Sequence, residues 1–142
     1  MASTVQVTWV GPGLRLLGEV ASGPAIVVDH ALPDEGREES GPRPMELLLM
    51  GLAGCTGMDV VSILKKKRQP FTGLQVQVTA ERADEHPRVY TQIHLTYVVT
   101  GSGVSPEAVA RAIELSETKY CSAAAMLRQS AEITTEYRIV EP

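Results

Sequence analysis

The first part of the chain carries short apolar runs that are separated by turn residues. Residues 4–10, 14–20 and 25–28 are rich in Val and Leu, and the first of them alternates with polar residues. Gly11-Pro12-Gly13 and Gly23-Pro24 lie between these runs. Gly and Pro in such positions are typical of tight turns between strands. The N-terminal region is therefore predicted to be a β-meander.

A long helical segment follows a polar loop at residues 34–43. Pro44 suits the first turn of a helix, and Glu46 suits its positive end. Pro70 ends the segment just after the basic run Lys65-Lys66-Lys67-Arg68, so the helix is predicted to end near Arg68. It would be roughly 35 Å long. Residues 47–63 are apolar on nearly every side, which predicts a helix that is buried all round.

The second half of the chain changes its pattern again. Residues 74–81 and 89–100 alternate as the two strands of a hairpin, with Ile93, Leu95 and Tyr97 on one face. Ser105-Pro106-Glu107 starts a helix that runs to about residue 117. A further helical stretch is predicted at 121–130 and a closing strand at 133–140. The order is β-meander, long buried central helix, β-hairpin, helix pair and C-terminal strand, which is an α+β fold in one domain of residues 1–142.

Composition and charge exclude several classes of function. The chain has 142 residues and a net charge of −4, which gives it no general attraction for nucleic acid or anionic lipid. No run approaches 18 apolar residues, and the N-terminus has neither a basic start nor an apolar signal region. We therefore expect a cytoplasmic protein with no membrane partner. The three His residues are scattered and no Gly-rich phosphate loop occurs, so no metal or cofactor is expected.

The two cysteines are the remaining candidates for chemistry. Cys55 lies on a helical face with Gly51, Gly54 and Gly57, each of which costs about 1 kcal/mol relative to Ala. This cost suggests that another backbone approaches closely, and we expect a homodimer in which the partner covers part of the helix. Cys121 precedes Ser122-Ala123-Ala124-Ala125, and a helix start there would favour its thiolate.

Two interpretations of these thiols stay open at this point. Both cysteines suit small buried hydrophobic positions, which is a structural role. Alternatively the two small-residue segments pack so that the sulfurs meet. The long sequence separation between Cys55 and Cys121 excludes a local Cys-x-x-Cys motif. Any pairing would then be tertiary or between subunits.

Three motifs together resemble the OsmC/Ohr family of osmotically induced and organic-hydroperoxide-resistance proteins. They are Pro44-Met45-Glu46-Leu47-Leu48-Leu49, Ala53-Gly54-Cys55-Thr56 and Tyr120-Cys121-Ser122, and they are most similar to the OsmC-like branch. The resemblance implies an intertwined α+β homodimer with two active sites at the subunit interface. It also implies that Cys55 attacks the peroxide, that Cys121 resolves the sulfenic acid as a disulfide, and that a small thiol or a lipoyl-type dithiol protein reduces that disulfide.

The same resemblance implies two supporting residues and leaves one complication. Peroxidase members use an Arg from the N-terminal β region, for which Arg15 is the candidate, and a Glu at the start of the long helix. Glu46 is the candidate acid, but it stands nine residues before Cys55 instead of ten, so it faces away on an ideal helix. It would serve the partner's site or only cap the helix. Asp59, one turn after Cys55, would raise the thiol pKa unless an Arg paired with it.

The sequence thus predicts a thiol-dependent peroxidase for organic hydroperoxides or hydrogen peroxide, active in oxidative or osmotic stress defence. The alternative is a non-enzymatic dimer on the same fold that senses redox state or binds a small hydrophobic ligand. A hydrolase that uses Cys55 as an acyl nucleophile is disfavoured because no His lies beside it.

Overall fold

The computed structural model describes residues 2–142. Met1, the first residue of the N-terminal segment that shows no signal region, lies outside the described residues. The chain forms two compact units, one that ends at Leu48 and a second from Leu49 to Pro142. Each unit is described by itself below.

The first unit contains the predicted β-meander. Its strands are β1 (Val5–Trp9), β2 (Leu16–Val20) and β3 (Ala25–Val28), and they form one antiparallel sheet in the order β1-β2-β3. Gly11 and Gly13 have positive φ angles of 67° and 59° between β1 and β2, a conformation that glycine adopts without strain. A short 3-10 turn, Pro33–Glu35, interrupts the polar loop that follows β3.

The long helix, α1, spans Pro44–Lys66 and ends two residues earlier than predicted. Arg68 has a φ of 54°, so the backbone leaves the helical conformation before Pro70. The buried residues of α1 form a single stripe at four-residue spacing: Leu52, Thr56, Val60 and Leu64. Within one chain α1 is therefore buried on one face, in line with the expectation that a single chain of this size cannot surround it, and burial of the other faces by a partner stays a prediction.

By length and composition alone, α1 could cross a membrane. It has 23 residues and a mean hydropathy of 1.9 over its most apolar window. The sequence prediction missed this because it counted uninterrupted apolar runs, which polar Thr56 and Asp59 break. Long core helices of globular proteins pass the same test, and Thr56 and Asp59 both form hydrogen bonds with side chains of other elements.

The second sheet organises the second unit. It contains β4 (Phe71–Arg82), β5 (Tyr90–Gly101) and β6 (Glu132–Val140) in the order β4-β5-β6. β4 and β5 pair antiparallel as the predicted hairpin, whereas β6 pairs parallel to β5. A parallel pair needs a long crossover connection, and the helical segments between β5 and β6 supply it. The face of β5 that carries Ile93, Leu95 and Tyr97 is buried, as predicted.

The helix pair differs from the prediction at its junction. α2 (Pro106–Leu115) begins as expected, with the Ser105 hydroxyl accepting a hydrogen bond from the Ala108 N–H at 3.2 Å. The chain then widens into a π-helical turn at Ser116–Tyr120, and α3 covers only Ser122–Leu127. The Cys121 N–H bonds the Ser116 carbonyl at 2.8 Å and closes the wide turn. Such π turns occur mostly as single insertions, frequently at functional sites.

Candidate functional site

The structure brings the two thiols of the second unit together. Cys55 lies on α1 and is partly exposed, whereas Cys121 lies between the π turn and α3 and is only 4% exposed. Both are free thiols, and Cys55 lies close enough to Cys121 to help raise the pKa of the Cys121 thiol. The two cysteines are therefore neighbours in the fold although no local Cys-x-x-Cys motif joins them.

The Cys121 thiol is held in its protonated form. Burial raises its pKa to about 11, and its contact with Cys55 and the charge of Asp59 act in the same direction. The Ala124 N–H, 3.4 Å from the sulfur, lowers the pKa but does not compensate for burial. The helix start thus favours the Cys121 thiolate through one backbone donor, as expected, but loss of hydration outweighs that donor and the net shift of the pKa is upward.

A chain of buried hydroxyl groups lies beside the thiol pair. Thr56 Oγ1 is 2.7 Å from Tyr97 Oη and 2.7 Å from Ser116 Oγ. Ser116 Oγ donates to Asp59 Oδ2 at 2.9 Å. Since each hydroxyl carries one proton, this last bond fixes the direction of the others: Tyr97 donates to Thr56, and Thr56 donates to Ser116. All three hydroxyl-bearing residues are fully buried, and burial raises the pKa of the Tyr97 phenol.

Asp59 has the electrostatic effect that its position suggested, although on the second thiol. Its charge raises the pKa of Cys121, which lies across from α1. Among residues 2–142, the hydrogen-bond partner of its carboxylate is Ser116, and no arginine forms an ion pair with it. The negative charge near the thiols is therefore not neutralised by a side chain of the second unit.

Glu117 adds a second carboxylate to this region. Burial raises its pKa, and Arg128 opposes that shift by donating to Oε2 at 2.9 Å. Its other oxygen, Oε1, is buried and has no hydrogen-bond partner among the described residues. The charge of Glu117 also contributes to the raised pKa of Tyr97.

Arg15, the predicted cation, belongs to an ion cluster in the first unit. Its Nε lies 3.4 Å from Asp29 Oδ2, and Arg37 makes two shorter bonds to the same carboxylate at 2.7 and 3.0 Å. Asp29 is 1% exposed and also accepts from the backbone and hydroxyl of Ser40. The Arg37 guanidinium holds the pKa of Asp29 well below its usual range. The Asp29 carboxylate thus positions Arg15, and Arg37 neutralises the charge of the same carboxylate together with Arg15.

Glu46, the predicted acid, is used at the start of α1. Its Oε1 accepts a hydrogen bond from the Arg43 N–H at 2.9 Å, which is one half of a capping box. Among residues 2–142, no hydrogen bond or ion pair joins Glu46 to Arg15. The carboxylate that contacts Arg15 is Asp29 instead.

The glycine face of α1 is open within the chain. A Cβ added at Gly51 or Gly54 would meet no atom within 4 Å among the described residues, and one at Gly57 would meet only the Val76 side chain at 3.5 Å. The expected close approach of another backbone is therefore absent from this single chain. A shallow apolar groove of about 740 Å³ lies along this face, between α1 and β4.

Several residues of these clusters were not found from the sequence. They are Asp29, Arg37, Thr56, Tyr97, Ser116 and Glu117. Asp29 carries a weak signal, since it ends an apolar strand and precedes a loop rich in charge. The hydroxyl residues carry none, because Ser and Thr suit many environments and only tertiary packing brings these three together.

Comparison with known proteins agrees with this architecture. Residues 36–136 match a family model described as OsmC-like protein. The chain is 46% identical over 135 residues to Protein YhfA of Escherichia coli strain K12, covering 95% of this chain and 96% of that protein.

Solved structures extend the similarity to the fold. The crystal structure of a hypothetical protein from Aquifex aeolicus VF5 has a TM-score of 0.86 at 29% identity, over 100% of this chain and 98% of that one. An organic hydroperoxide resistance protein from Elizabethkingia anophelis has a TM-score of 0.68 at 14% identity, over 100% and 97% respectively, which shows the fold alone. With the family model matching most of its length and the two thiols at the expected motifs, the chain belongs to the OsmC-like family.

Proposed function

We propose that the protein is a thiol-dependent peroxidase in defence against oxidative stress. Its substrates are organic hydroperoxides and also hydrogen peroxide. The observation that carries the proposal is the proximity of two free thiols of unequal exposure, Cys55 and Cys121. The organic hydroperoxide resistance proteins that share the fold are consistent with the same chemistry.

The proposed cycle balances without a cofactor. The Cys55 sulfur attacks the peroxide, its thiol proton passes to the departing oxygen, and Cys55 sulfenic acid and one alcohol result. The Cys121 thiol then attacks the sulfenic sulfur, so that a Cys55–Cys121 disulfide forms and one water leaves. A small thiol or a lipoyl-type dithiol supplies the two electrons and two protons that restore both thiols.

The difference in environment supports this division of roles. Cys55 is the more exposed thiol, so a peroxide from solvent reaches it first. Cys121 is buried, and its raised pKa keeps it protonated at neutral pH. A protonated thiol attacks peroxide slowly, because the thiolate is the nucleophile. It remains available to resolve the sulfenic acid.

We further assign Arg15 the role of stabilising the Cys55 thiolate. Its guanidinium is permanently charged, and it contacts Asp29 through Nε alone. The two terminal nitrogens of Arg15 therefore remain available for a second anion. Arg15→Lys should lower the second-order rate constant for peroxide, since an ammonium lacks the fixed fork of donors.

The test of the function is a reaction of the reduced protein with one equivalent of cumene hydroperoxide. We expect loss of two thiols per chain and a peptide that links Cys55 to Cys121 in the mass spectrum. Cys55→Ser should abolish peroxide consumption. With excess hydroperoxide, Cys121→Ser should allow a single turnover, after which a second peroxide molecule oxidises the Cys55 sulfenic acid to the sulfinic acid. Unchanged consumption by Cys55→Ser would refute the mechanism.

One observation favours a second candidate, a dimer that senses redox state slowly and without turnover. Within the second unit, the negative charge of Asp59 helps raise the pKa of Cys121, which disfavours the thiolate of that residue. The rate constant separates the two candidates. A peroxidase should react with cumene hydroperoxide far faster than free cysteine does, whereas a sensor of this kind should react at a similar rate and should not turn over with dithiol.

A further inference from the structure

We propose that the buried hydrogen bond between Thr56 and Ser116 positions the two thiol-bearing segments for disulfide closure. This inference rests on the proposed function for its biological meaning, but the contact and its effect on the thiol pair are measurable without peroxide. Thr56 and Ser116 act through Cys55 and Cys121 and are positioning residues. Neither hydroxyl takes part in the covalent chemistry.

The bond joins the two segments next to their cysteines. Thr56 directly follows Cys55 on α1. Ser116 opens the π turn, and its carbonyl accepts the Cys121 N–H at 2.8 Å. The 2.7 Å bond between Thr56 Oγ1 and Ser116 Oγ therefore ties the backbone of one thiol to the backbone of the other by a short, fully buried path.

The neighbours of this bond leave it one arrangement. Asp59 accepts a hydrogen bond from Ser116, and Tyr97 donates one to Thr56. The bond between Thr56 and Ser116 therefore has a fixed direction. Breaking it would strand a buried donor on Thr56 and a vacant acceptor on Ser116, away from water. In a buried setting such a network either persists as a whole or loses much of its stabilisation. It therefore resists sliding of the π turn along α1.

Disulfide closure depends on that resistance. A disulfide requires a narrow range of separation and orientation of the two cysteines. If the segments are loose, the Cys55 sulfenic acid waits longer for Cys121. A second peroxide molecule then oxidises it to the sulfinic acid, with one more alcohol released, and the chain is lost from the cycle. The ratio of disulfide to sulfinic acid therefore reports how well the thiols are positioned.

The experiment measures this ratio by mass spectrometry after reduced protein meets excess cumene hydroperoxide. Thr56→Val keeps the shape of the side chain and removes the hydroxyl, while Thr56→Ser keeps the hydroxyl and removes the methyl group. We expect Thr56→Val to lower the ratio on the order of 10- to 100-fold, the cost of a small misplacement of reacting groups. Thr56→Ser should stay close to the wild type.

Two further variants separate positioning from loss of stability. Ser116→Ala removes the same bond from its other end, so the test stands even if Thr56→Val does not fold. Ser105→Ala removes the hydroxyl that caps α2 and destabilises the chain without contact to either thiol segment. We expect Ser116→Ala to lower the ratio and Ser105→Ala to leave it unchanged. The proposal would be overturned if Ser116→Ala and Ser105→Ala gave the same ratio of disulfide to sulfinic acid. It would also be overturned if Thr56→Ser lowered this ratio as much as Thr56→Val.

A second measurement distinguishes failure of this inference from failure of the proposed function. The dithiol and disulfide forms are equilibrated with reduced and oxidised glutathione, with no peroxide present. Thr56→Val should shift the equilibrium toward the dithiol by about tenfold or more, because the two thiols are less well placed to pair. An unchanged equilibrium refutes positioning. A wild-type protein that pairs its thiols in glutathione yet ignores peroxide refutes the peroxidase and leaves the positioning intact.

Discussion

At the scale of single residues, Cys55 and Cys121 lie in similar runs of small side chains but in different surroundings. Cys55 is partly exposed on α1, and Cys121 is enclosed between the π turn and α3. Burial dominates the pKa of Cys121, which neither its neighbours in sequence nor its place at a helix start would suggest. The unequal chemistry of the pair therefore comes from tertiary packing.

The raised pKa of Cys121 predicts a distinct pH dependence of alkylation. Iodoacetamide reacts with the thiolate, so its rate at Cys121 should rise about tenfold per pH unit and level off only near pH 11. The measurement is peptide mass spectrometry of iodoacetamide-treated protein across pH 7–11.5. The Cys55→Ser variant, which removes the competing thiol, should still show a pKa above the ordinary value because burial is the largest cause. A profile that levels off near pH 8 would contradict this.

Asp59 provides the matched variant for that experiment. Asp59→Asn removes the negative charge that disfavours the Cys121 thiolate and keeps an oxygen that can accept the Ser116 proton. The alkylation profile should therefore move to lower pH, by less than one pH unit, since the charge contributes less than burial does. A shift to higher pH would show that Asp59 acts on the thiol through structure and not through its charge.

The candidate site could be predicted only in part for a physical reason. The two cysteines are rare residues in recognisable motifs, so sequence finds them. Thr56 and Tyr97 belong to an alternating or helical apolar face, where they differ from other core residues only by a hydroxyl. Their bond spans 41 positions of the chain. No local pattern encodes such a contact.

At the scale of elements, local patterns determined most strands and helix starts. The alternation in β4 and β5 and the Ser105 cap of α2 are local features, and the structure confirms them. The parallel pairing of β6 with β5 depends on the whole crossover and has no local signal. The π turn at Ser116–Tyr120 is closed by the bond from the Cys121 N–H to the Ser116 carbonyl, and the predicted helix end near residue 117 falls inside it because apolar periodicity does not distinguish a π turn from an α-helical one.

The start of α1 yields a prediction about Glu46. Its bond to the Arg43 N–H satisfies one of the donors that a helix leaves unpaired at its N-terminus. Glu46→Ala should therefore lower the free energy of unfolding by about 0.5–1 kcal/mol. Chemical denaturation followed by circular dichroism measures this directly, with Glu46→Gln as a control that can keep the bond.

The same pair of variants also tests the alternative role of Glu46. If the carboxylate supported the active-site arginine, Glu46→Gln would slow peroxide reduction while leaving stability nearly intact. We expect the opposite result. Glu46→Ala should lower the stability, and neither variant should slow peroxide reduction beyond what that loss of stability explains. A slow but stable Glu46→Gln protein would contradict the capping role.

At the scale of the whole molecule, one chain leaves too much apolar surface uncovered. Among residues 2–48, only Val28 and Asp29 are buried, and every residue of β1 is exposed. The open face of α1 includes Met50 and Met58, and the groove beside it is apolar. Exposed apolar patches of this extent mark interaction surfaces in soluble proteins. We infer a homodimer in which a second copy covers the glycine face of α1.

The inferred interface on the glycine face of α1 can be tested through the oligomeric state. A stable interface buries about 800 Å² on each partner and tolerates no unpaired charge at its centre. Met58, which is 76% exposed in one chain, lies on the glycine side of α1, so Met58→Glu should convert the dimer to a monomer in sedimentation velocity. Met126 on α3 is 69% exposed and does not line the groove along that face, and Met126→Glu should remain dimeric. Because a Cβ added at Gly51 or Gly54 would meet no atom within 4 Å among residues 2–142, their lack of side chains gains a structural reason only if a partner packs against them. A monomeric wild type, or a dimer unaffected by Met58→Glu, would remove that reason and place the interface elsewhere.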